Sequence, residues 1–459
     1  MEFIADHLAV IMFAVLTFIM FVGYPVAFVL GAVGIIFGYL GIYFGLFAEV
    51  QFANLLPRIY GQAVENQVLV AVPMFIFMGT ILEKSGVAEE LLGCLQVLLR
   101  RVPGGLALSV VLLGTIMAAT TGIVGASVVM LTLIALPVML DRGYSKSLSC
   151  GTIAASGTLG ILIPPSIMLV IMGDLMQISV GLLFASAVIP GLMLSATYLV
   201  YIVIISILQP KLAPPLGAEK GPQNTAELIR MVLFSFAPPA FLIVLVLGSI
   251  FGGWATPTEA AGVGCLGALL LAARAKRLNF KSINEIILGA GLTNGLVFFI
   301  VFGATLFSYV FRALGGDDVV TEVLKAVGID TGWEVLIFVM ALVFIMGFFF
   351  DFLEICLVVL PVFTPILANA DFGSFISGPK NILLWFALLL AVNLQSAFLT
   401  PPFGFALFYM KGTVPPSVTM MHIYRGIVPF VILQMLAVAL CMIFPEVIFY
   451  LPRRWGMLD

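Results

Sequence analysis

Two stretches set small, hydroxylated and proline residues where an apolar helix would otherwise run on. The first is Ser156-Gly-Thr-Leu-Gly-Ile-Leu-Ile-Pro-Pro165; the second is Asn393-Leu-Gln-Ser-Ala-Phe-Leu-Thr-Pro-Pro402. Gly157, Gly160, Pro164 and Pro165 interrupt the first, and Ser396, Thr400, Pro401, Pro402 and Gly404 the second. A helix broken at membrane depth leaves backbone amides and carbonyls that lipid cannot satisfy, so the break must face protein, a cavity or an ion. Proline is expected in the first turn of the outgoing half-helix, where its missing N–H costs nothing. The amides opening that half-helix attract anions, and the carbonyls closing the incoming half attract cations. One break can therefore hold a carboxylate beside a small cation. The plainer reading is a proline kink, and two matched breaks weigh against it.

A second pair of sites is Thr120-Thr-Gly-Ile-Val-Gly-Ala-Ser127 and Gly347-Phe-Phe-Phe-Asp351-Phe-Leu-Glu354. Acids at membrane depth are costly and mark ion, proton or substrate paths. The competing readings make Asp351 a helix cap, with Glu354 at a surface. The hydroxyls of Thr120, Thr121 and Ser127 can equally bond their own helix backbone. Catalysis finds little support. The chain has no Walker motif, G-x-S-x-G or H-E-x-x-H, and no second aspartate stands at the depth of Asp351 for an aspartyl protease. His7 and His422 are far apart, and the five cysteines (Cys94, Cys150, Cys265, Cys356, Cys441) show no paired spacing. They read as small apolar core residues, with no metal site or disulfide framework. The chain is expected not to be an enzyme.

The elements that position these residues follow from composition. Of 459 residues, 62% are hydrophobic and 9% charged, too little polar surface for a soluble chain. Apolar runs long enough to cross a bilayer recur without the period-two alternation of a barrel. The fold class is therefore an all-α polytopic membrane protein. No basic stripe invites nucleic acid. The first apolar segment lacks a basic flank and a small-residue cleavage site, so it reads as a retained span.

The polar, Pro- and Gly-containing stretch 209–226 separates two halves of similar layout, which points to a duplication. A shift of 237 residues superposes the two Pro-Pro breaks; a shift of 224 lays Leu136-Pro137-Val138 on Leu360-Pro361-Val362 and Ser127 on Asp351. The expected domains are a first repeat at 1–208, with a hairpin near 104–140 and a broken helix near 147–173. A cytoplasmic linker occupies 209–226. The second repeat covers 227–459, with a hairpin near 333–368 and a broken helix near 382–410. Stretches 49–66, 87–101 and 274–290 read as amphipathic or polar connectors. Three spans, a re-entrant hairpin, a Pro-Pro-broken helix and a final span give five crossings per half, an odd number, so the two repeats are inverted. Placing the N-terminus outside collects most of the lysines and arginines within, leaving Arg58, Arg312, Lys325, Lys380, Arg453 and Arg454 outside.

Val72-Pro-Met-Phe-Ile-Phe-Met-Gly79, Gly157-Thr-Leu-Gly-Ile-Leu-Ile-Pro-Pro-Ser166, Pro257-Thr-Glu-Ala-Ala261 and Leu399-Thr-Pro-Pro-Phe-Gly404 resemble the large membrane subunit of TRAP (tripartite ATP-independent periplasmic) transporters, in order, from about residue 10 to 445. The resemblance implies an elevator-type ion-transporter fold in the bacterial inner membrane and import of a small organic acid, a 2-oxo acid or other mono- or dicarboxylate, driven by sodium as coupling ion. It implies as partners a small four-helix membrane subunit, a periplasmic substrate-binding protein and membrane lipid. Carried onto this sequence, one sodium site takes Gly122, Gly125, Ser127, Gly157, Thr158 and Gly160. The other takes Gly347, Asp351, Gln395, Ser396 and Thr400, with substrate near Pro165, Ser166, Pro402 and Gly404. The first tip departs from the family's usual Ser-Gly-Ser-Ser, reading Thr121-Gly-Ile-Val-Gly-Ala-Ser127. The alternative is a stand-alone sodium/dicarboxylate symporter needing no binding protein.

Overall fold

The computed structural model describes residues 7–121, 124–215, 224–401 and 404–458. Every regular element among them is helical. The chain opens with α1 (Leu8–Val22), α2 (Val26–Tyr43), the short α3 (Glu49–Ala53) and α4 (Leu55–Ile59), a π turn at Tyr60–Val64, α5 (Ala71–Lys84) and α6 (Val87–Leu98). A helix pair follows, α7 (Gly105–Thr121) and α8 (Val124–Asp141). Then come α9 (Lys146–Thr158), a 3-10 turn at Leu159–Ile161, α10 (Ile167–Leu175) and the long α11 (Val180–Leu208). The second half runs through α12 (Thr225–Met231), a π turn, α13 (Ala237–Phe251), α14 (Pro257–Arg274), α15 (Phe280–Ala313) and α16 (Gly316–Ala326). Its helix pair is α17 (Gly332–Met346) and α18 (Phe352–Ala368), followed by α19 (Pro379–Leu399), α20 (Phe405–Thr413), α21 (Met420–Ile443) and α22 (Glu446–Arg454). The order of long helices, helix pair, broken helix and last long helix recurs.

Local chemistry sets these boundaries. Thr256 opens α14 with a capping box: Glu259 N donates to its Oγ1 at 3.3 Å, and its own N–H donates to Glu259 Oε2 at 2.7 Å. Thr331 and Glu334 do the same for α17. Asn279 caps α15 by accepting from Ser282 N at 2.8 Å. That cap corrects the sequence reading, which took 274–290 as a connector. No proline lies between it and Ala313, so the stretch joins the following apolar run in one 34-residue helix. Seven described helices are long and apolar enough to cross a bilayer, or eight if α5 and α6, bent by 62°, form one span.

Both helix pairs carry proline in the second arm, Pro137 in α8 and Pro361 and Pro365 in α18. Ser127 lies inside α8, whereas Asp351 is the N-cap of α18.

The helices sort into two packed groups. In the first, α2 lies against α15 and α5 against α14, with α5 and α15 in contact at the centre. In the second, α9 packs on α7 and α8, α19 on α17 and α18, and α21 on both α9 and α19. The outgoing halves cross over: α10 packs on α18 and α20 on α8. Burial follows this arrangement. In α19, 94% of the apolar window is buried, against 17% over Ala226–Phe251 at the rim. Trp385, inside α19, donates from Nε1 to Cys441 O at 3.0 Å, tying it to α21.

Without a water-driven hydrophobic effect between helices, close packing relies on small residues. Helices α9 and α21 meet backbone to backbone: a Cβ on Gly151 would lie 2.0 Å from Gly426 O, and one on Gly426 would lie 2.0 Å from Ser147 O. Gly426→Leu should therefore destabilise the protein by roughly 1–3 kcal/mol or more, read as a lower thermal midpoint in detergent. Gly262→Ala, where nothing lies within 4 Å of the added Cβ, should match or exceed the parent protein. A Gly426→Leu protein with an unchanged midpoint would refute the close approach.

Candidate functional site

The first break lies between α9 and α10. Ser166 spans it: its Oγ donates to Ile161 O at 2.5 Å and accepts from Leu169 N at 3.4 Å. One side chain thus satisfies a carbonyl on the incoming side and an amide on the outgoing side. The Pro164–Pro165 peptide is cis. Both prolines precede the half-helix, whose cap is Ser166 and whose first residue is Ile167. The sequence expectation put proline inside that first turn. A residue before proline is steered away from helical angles, so residues 163–165 bend out of the helix, and Ser166 is extended.

Close contact brings the first helix pair onto this break. A Cβ on Gly157 would lie 2.4 Å from Val128 Cγ2, next to the buried Ser127. A Cβ on Gly125 would lie 2.9 Å from the Tyr409 ring, on α20. Gly125 therefore meets the second broken helix, while Gly157 meets its own helix pair. Thr158 is buried, and its hydroxyl donates to Ala155 O at 2.9 Å within α9. Gly160 is buried in the 3-10 turn. Gly122 and the side chains of Thr120 and Thr121 lie outside the described residues.

The second break repeats the plan with different side chains. Thr400 Oγ1 donates to Ser396 O at 2.7 Å, and Ser396 Oγ to Asn393 O at 2.6 Å. Asn393 Nδ2 donates to Met340 O at 2.8 Å and so fixes α19 to the first arm of the pair. A Cβ on Gly347 would lie 2.3 Å from Ala397 Cβ, which seats the tip on the break. Gln395 is fully buried, and neither its Oε1 nor its Nε2 has a hydrogen-bond partner. A buried, unmatched amide costs about 1–3 kcal/mol. Gly404 opens α20 at φ +51°, where its missing Cβ leaves room for Phe398 O and Leu407. Pro402 lies outside the described residues.

Asp351 is the N-cap of α18: Phe352 N donates to its Oδ1 at 2.8 Å, while its own N–H donates to Glu354 Oε2 at 3.3 Å. The capping geometry is therefore present, and Glu354 closes the same box. Asp351 has no arginine or lysine among its hydrogen-bond partners, and no basic residue falls in either tip or break. Among the described residues, no group of three or more His, Cys, Asp or Glu side chains converges as a metal site. All five cysteines are buried and free.

The two breaks are neighbours, since α9 and α10 both touch α19 and α20 touches α9. Sequence reasoning missed Tyr409 and the anchoring role of Asn393. Asn393 stood inside the quoted motif, whereas nothing in the spacing of Tyr409 marks it. It also passed over Arg58 and Arg312, which line a cavity of about 690 Å³ between α15 and the helices α10 and α18.

Residues 10–447 match the family described as "Tripartite ATP-independent periplasmic transporter, DctM component". The chain is 32% identical over 386 residues to the ectoine TRAP transporter large permease protein TeaC of Halomonas elongata, covering 83% of this chain and 86% of that protein. It is 28% identical over 415 residues to the C4-dicarboxylate TRAP transporter large permease protein DctM of Pseudomonas aeruginosa, covering 90% and 92%. In fold it is similar to the crystal structure of the Alcanivorax borkumensis YdaH transporter, with TM-score 0.59 at 15% identity over 89% and 90% of the two chains.

The cap at Asp351 makes a direct prediction. Asp351→Ala should lower stability by about 1 kcal/mol, whereas Asp351→Asn, an equally good capping residue, should keep it. Thermal unfolding in detergent checks this; equal losses in both variants would rule out the cap as the structural role of Asp351.

Proposed function

Because the chain belongs to the TRAP transporter family as its large membrane subunit, the DctM component, we propose that it imports a small organic acid by a sodium-driven elevator movement. It is a multi-pass integral membrane protein and a transporter subunit, as are the relatives it matches. We place it in the bacterial inner membrane with the N-terminus on the periplasmic side. The halves 1–208 and 227–459 act as inverted repeats joined by a cytoplasmic linker at 209–226.

Gln395 carries the reading. A glutamine buried in an apolar core with both amide atoms unmatched is the kind of group that a bound ion or polar ligand satisfies. Gln395 shares the second sodium site with Gly347, Asp351, Ser396 and Thr400. Gly122, Gly125, Ser127, Gly157, Thr158 and Gly160 form the first. Thr158, Ser396 and Thr400 spend their hydroxyl protons on helix carbonyls, which leaves the hydroxyl oxygens as acceptors for a cation. Substrate lies between the sites, near Pro165, Ser166, Pro402 and Gly404. A carboxylate there draws its countercharge from half-helix amides and from sodium, because no lysine or arginine is in reach within the tips or breaks.

The word tripartite in the family description, together with the relatives' substrates, supports the partners. A periplasmic binding protein delivers the acid, and a small membrane subunit completes the complex against the rim helices. Sodium orders the tips on the breaks, and the second helix group then slides along the first. Coupling requires the loaded and empty forms to move more readily than the form carrying sodium alone.

The test is uptake into proteoliposomes holding this chain and its small subunit. Radiolabelled C4-dicarboxylates and 2-oxo acids are supplied with the binding protein, with and without an inward sodium gradient. Uptake should require both sodium and the binding protein. Gln395→Leu should fold, since it removes only unmatched polar atoms, and should raise the sodium concentration for half-maximal uptake by at least roughly tenfold, a loss of about 1.4 kcal/mol. Sodium-driven uptake indifferent to the binding protein would instead identify a stand-alone symporter, and an unchanged sodium dependence in Gln395→Leu would remove Gln395 from the site.

A further inference from the structure

The 690 Å³ cavity belongs to neither break. One wall is a stripe on α15 at helical spacing, Thr305, Ser308, Tyr309 and Arg312; Arg58, which follows α4's Pro57, closes over it. The Arg58 guanidinium lies 4.4 Å from the centroid of the Tyr309 ring. Tyr309 and Arg312 are three residues apart on one helix face, so the two guanidinium groups converge on the same mouth. The opposite wall comes from the other helix group and includes Asp174 near the end of α10.

The charges in this cavity are unevenly committed. Asp174 accepts from Asn66 Nδ2 at 2.5 Å. Arg312 donates from Nη2 to Pro361 O at 2.8 Å, a carbonyl that lost its helical donor because Pro365 has no N–H. Arg312 Nε lies 3.8 Å from Asp317 Oδ2. Arg58 lies over the Tyr309 ring, a cation–π contact distinct from the in-plane hydrogen bonds that a guanidinium can make. The cavity thus offers planar donors suited to an oxyanion.

Its position gives these donors a use. Helix α10 has nine residues and so spans ~13 Å. Its capped start at Ser166 forms the first break, and its far end lines the cavity. Neither tip nor break contains a basic side chain.

We propose that this cavity is a staging site, where an organic anion is held by Arg58 and Arg312 before it reaches the breaks. This inference rests on the carboxylate reading above and deepens it. The shared chemistry is an oxyanion group, which a substrate carboxylate or a lipid phosphate can supply; substrate is the source assigned here. Two guanidiniums in a concave, partly enclosed mouth concentrate anions and replace part of their hydration, which the core site, lacking any basic side chain, cannot do.

Ser308→Cys, half-buried in the stripe, provides the probe, because the native cysteines are all buried. Labelling rates with an anionic (sulfonate) and a cationic (trimethylammonium) methanethiosulfonate are compared in phosphatidylcholine vesicles, with Ser377→Cys on an exposed loop as reference. The anionic-to-cationic ratio at position 308 should exceed the reference at least roughly tenfold. Arg58→Gln, which leaves the Arg312–Pro361 bond intact, should lower the ratio, and Arg58→Lys should restore much of it. Millimolar succinate should slow labelling at 308 and not at 377.

A ratio equal to the reference, or indifferent to Arg58→Gln, would overturn the proposal. So would labelling slowed by phosphatidylglycerol in the vesicle and unaffected by succinate, which would make the cavity a lipid headgroup site. Because labelling is read without transport, the two readings fail separately. Protection by succinate with no sodium-driven uptake would sink the transport function alone. Uptake without protection would sink the staging site alone.

Discussion

An interrupted helix inside an apolar body must find partners for the amides and carbonyls that the interruption frees, and the rest of this structure depends on how that is done. At the first break a single side chain answers both demands, since Ser166 reaches back to Ile161 O and forward to Leu169 N. At the second, hydroxyls fold back on their own helix, and Asn393 reaches across to Met340 O. In both cases these side chains are matched within the protein. The exception is Gln395, whose amide is buried without a match. Gln434 on α21 is likewise buried with both amide atoms unmatched, but of the two only Gln395 lies in the motif of a break.

Holding the tips against the breaks is a problem of distance. Gly157 lets Val128 come close, Gly347 does the same for Ala397, and Gly125 seats against Tyr409. A side chain at any of these glycines would push tip and break apart before polar groups could meet. The same economy of volume joins α9 to α21 at Gly151 and Gly426. Small residues here take the part that larger hydrophobic side chains play in water-soluble cores.

Between the two helix groups the contact is different in kind. The polar ties across it include Arg312 on Pro361 O and Asn66 on Asp174, both beside the large cavity. The proline pair in α18 has a part in this. Pro365 frees the carbonyl of Pro361, and the arginine of the neighbouring group takes it up.

The sequence by itself determined the membrane environment, the helical class, the two Pro-Pro breaks and the two helix pairs. These follow from composition and local backbone chemistry: too few polar residues to cover a soluble body, glycine and proline as interruptions, hydroxyl and acidic residues as caps. It also singled out Asp351 as an acid at membrane depth, whereas Gln395 and Ser166 came only with the family resemblance. Only the tertiary structure decided that 280–290 continues into a long helix and that Asp351 and Glu354 close one capping box. It alone brought Gly125 to Tyr409 and Arg58 over Tyr309, residues 251 and more positions apart along the chain. Such contacts are set by which helices cross and at what height, a property of packed volumes that no local spacing encodes.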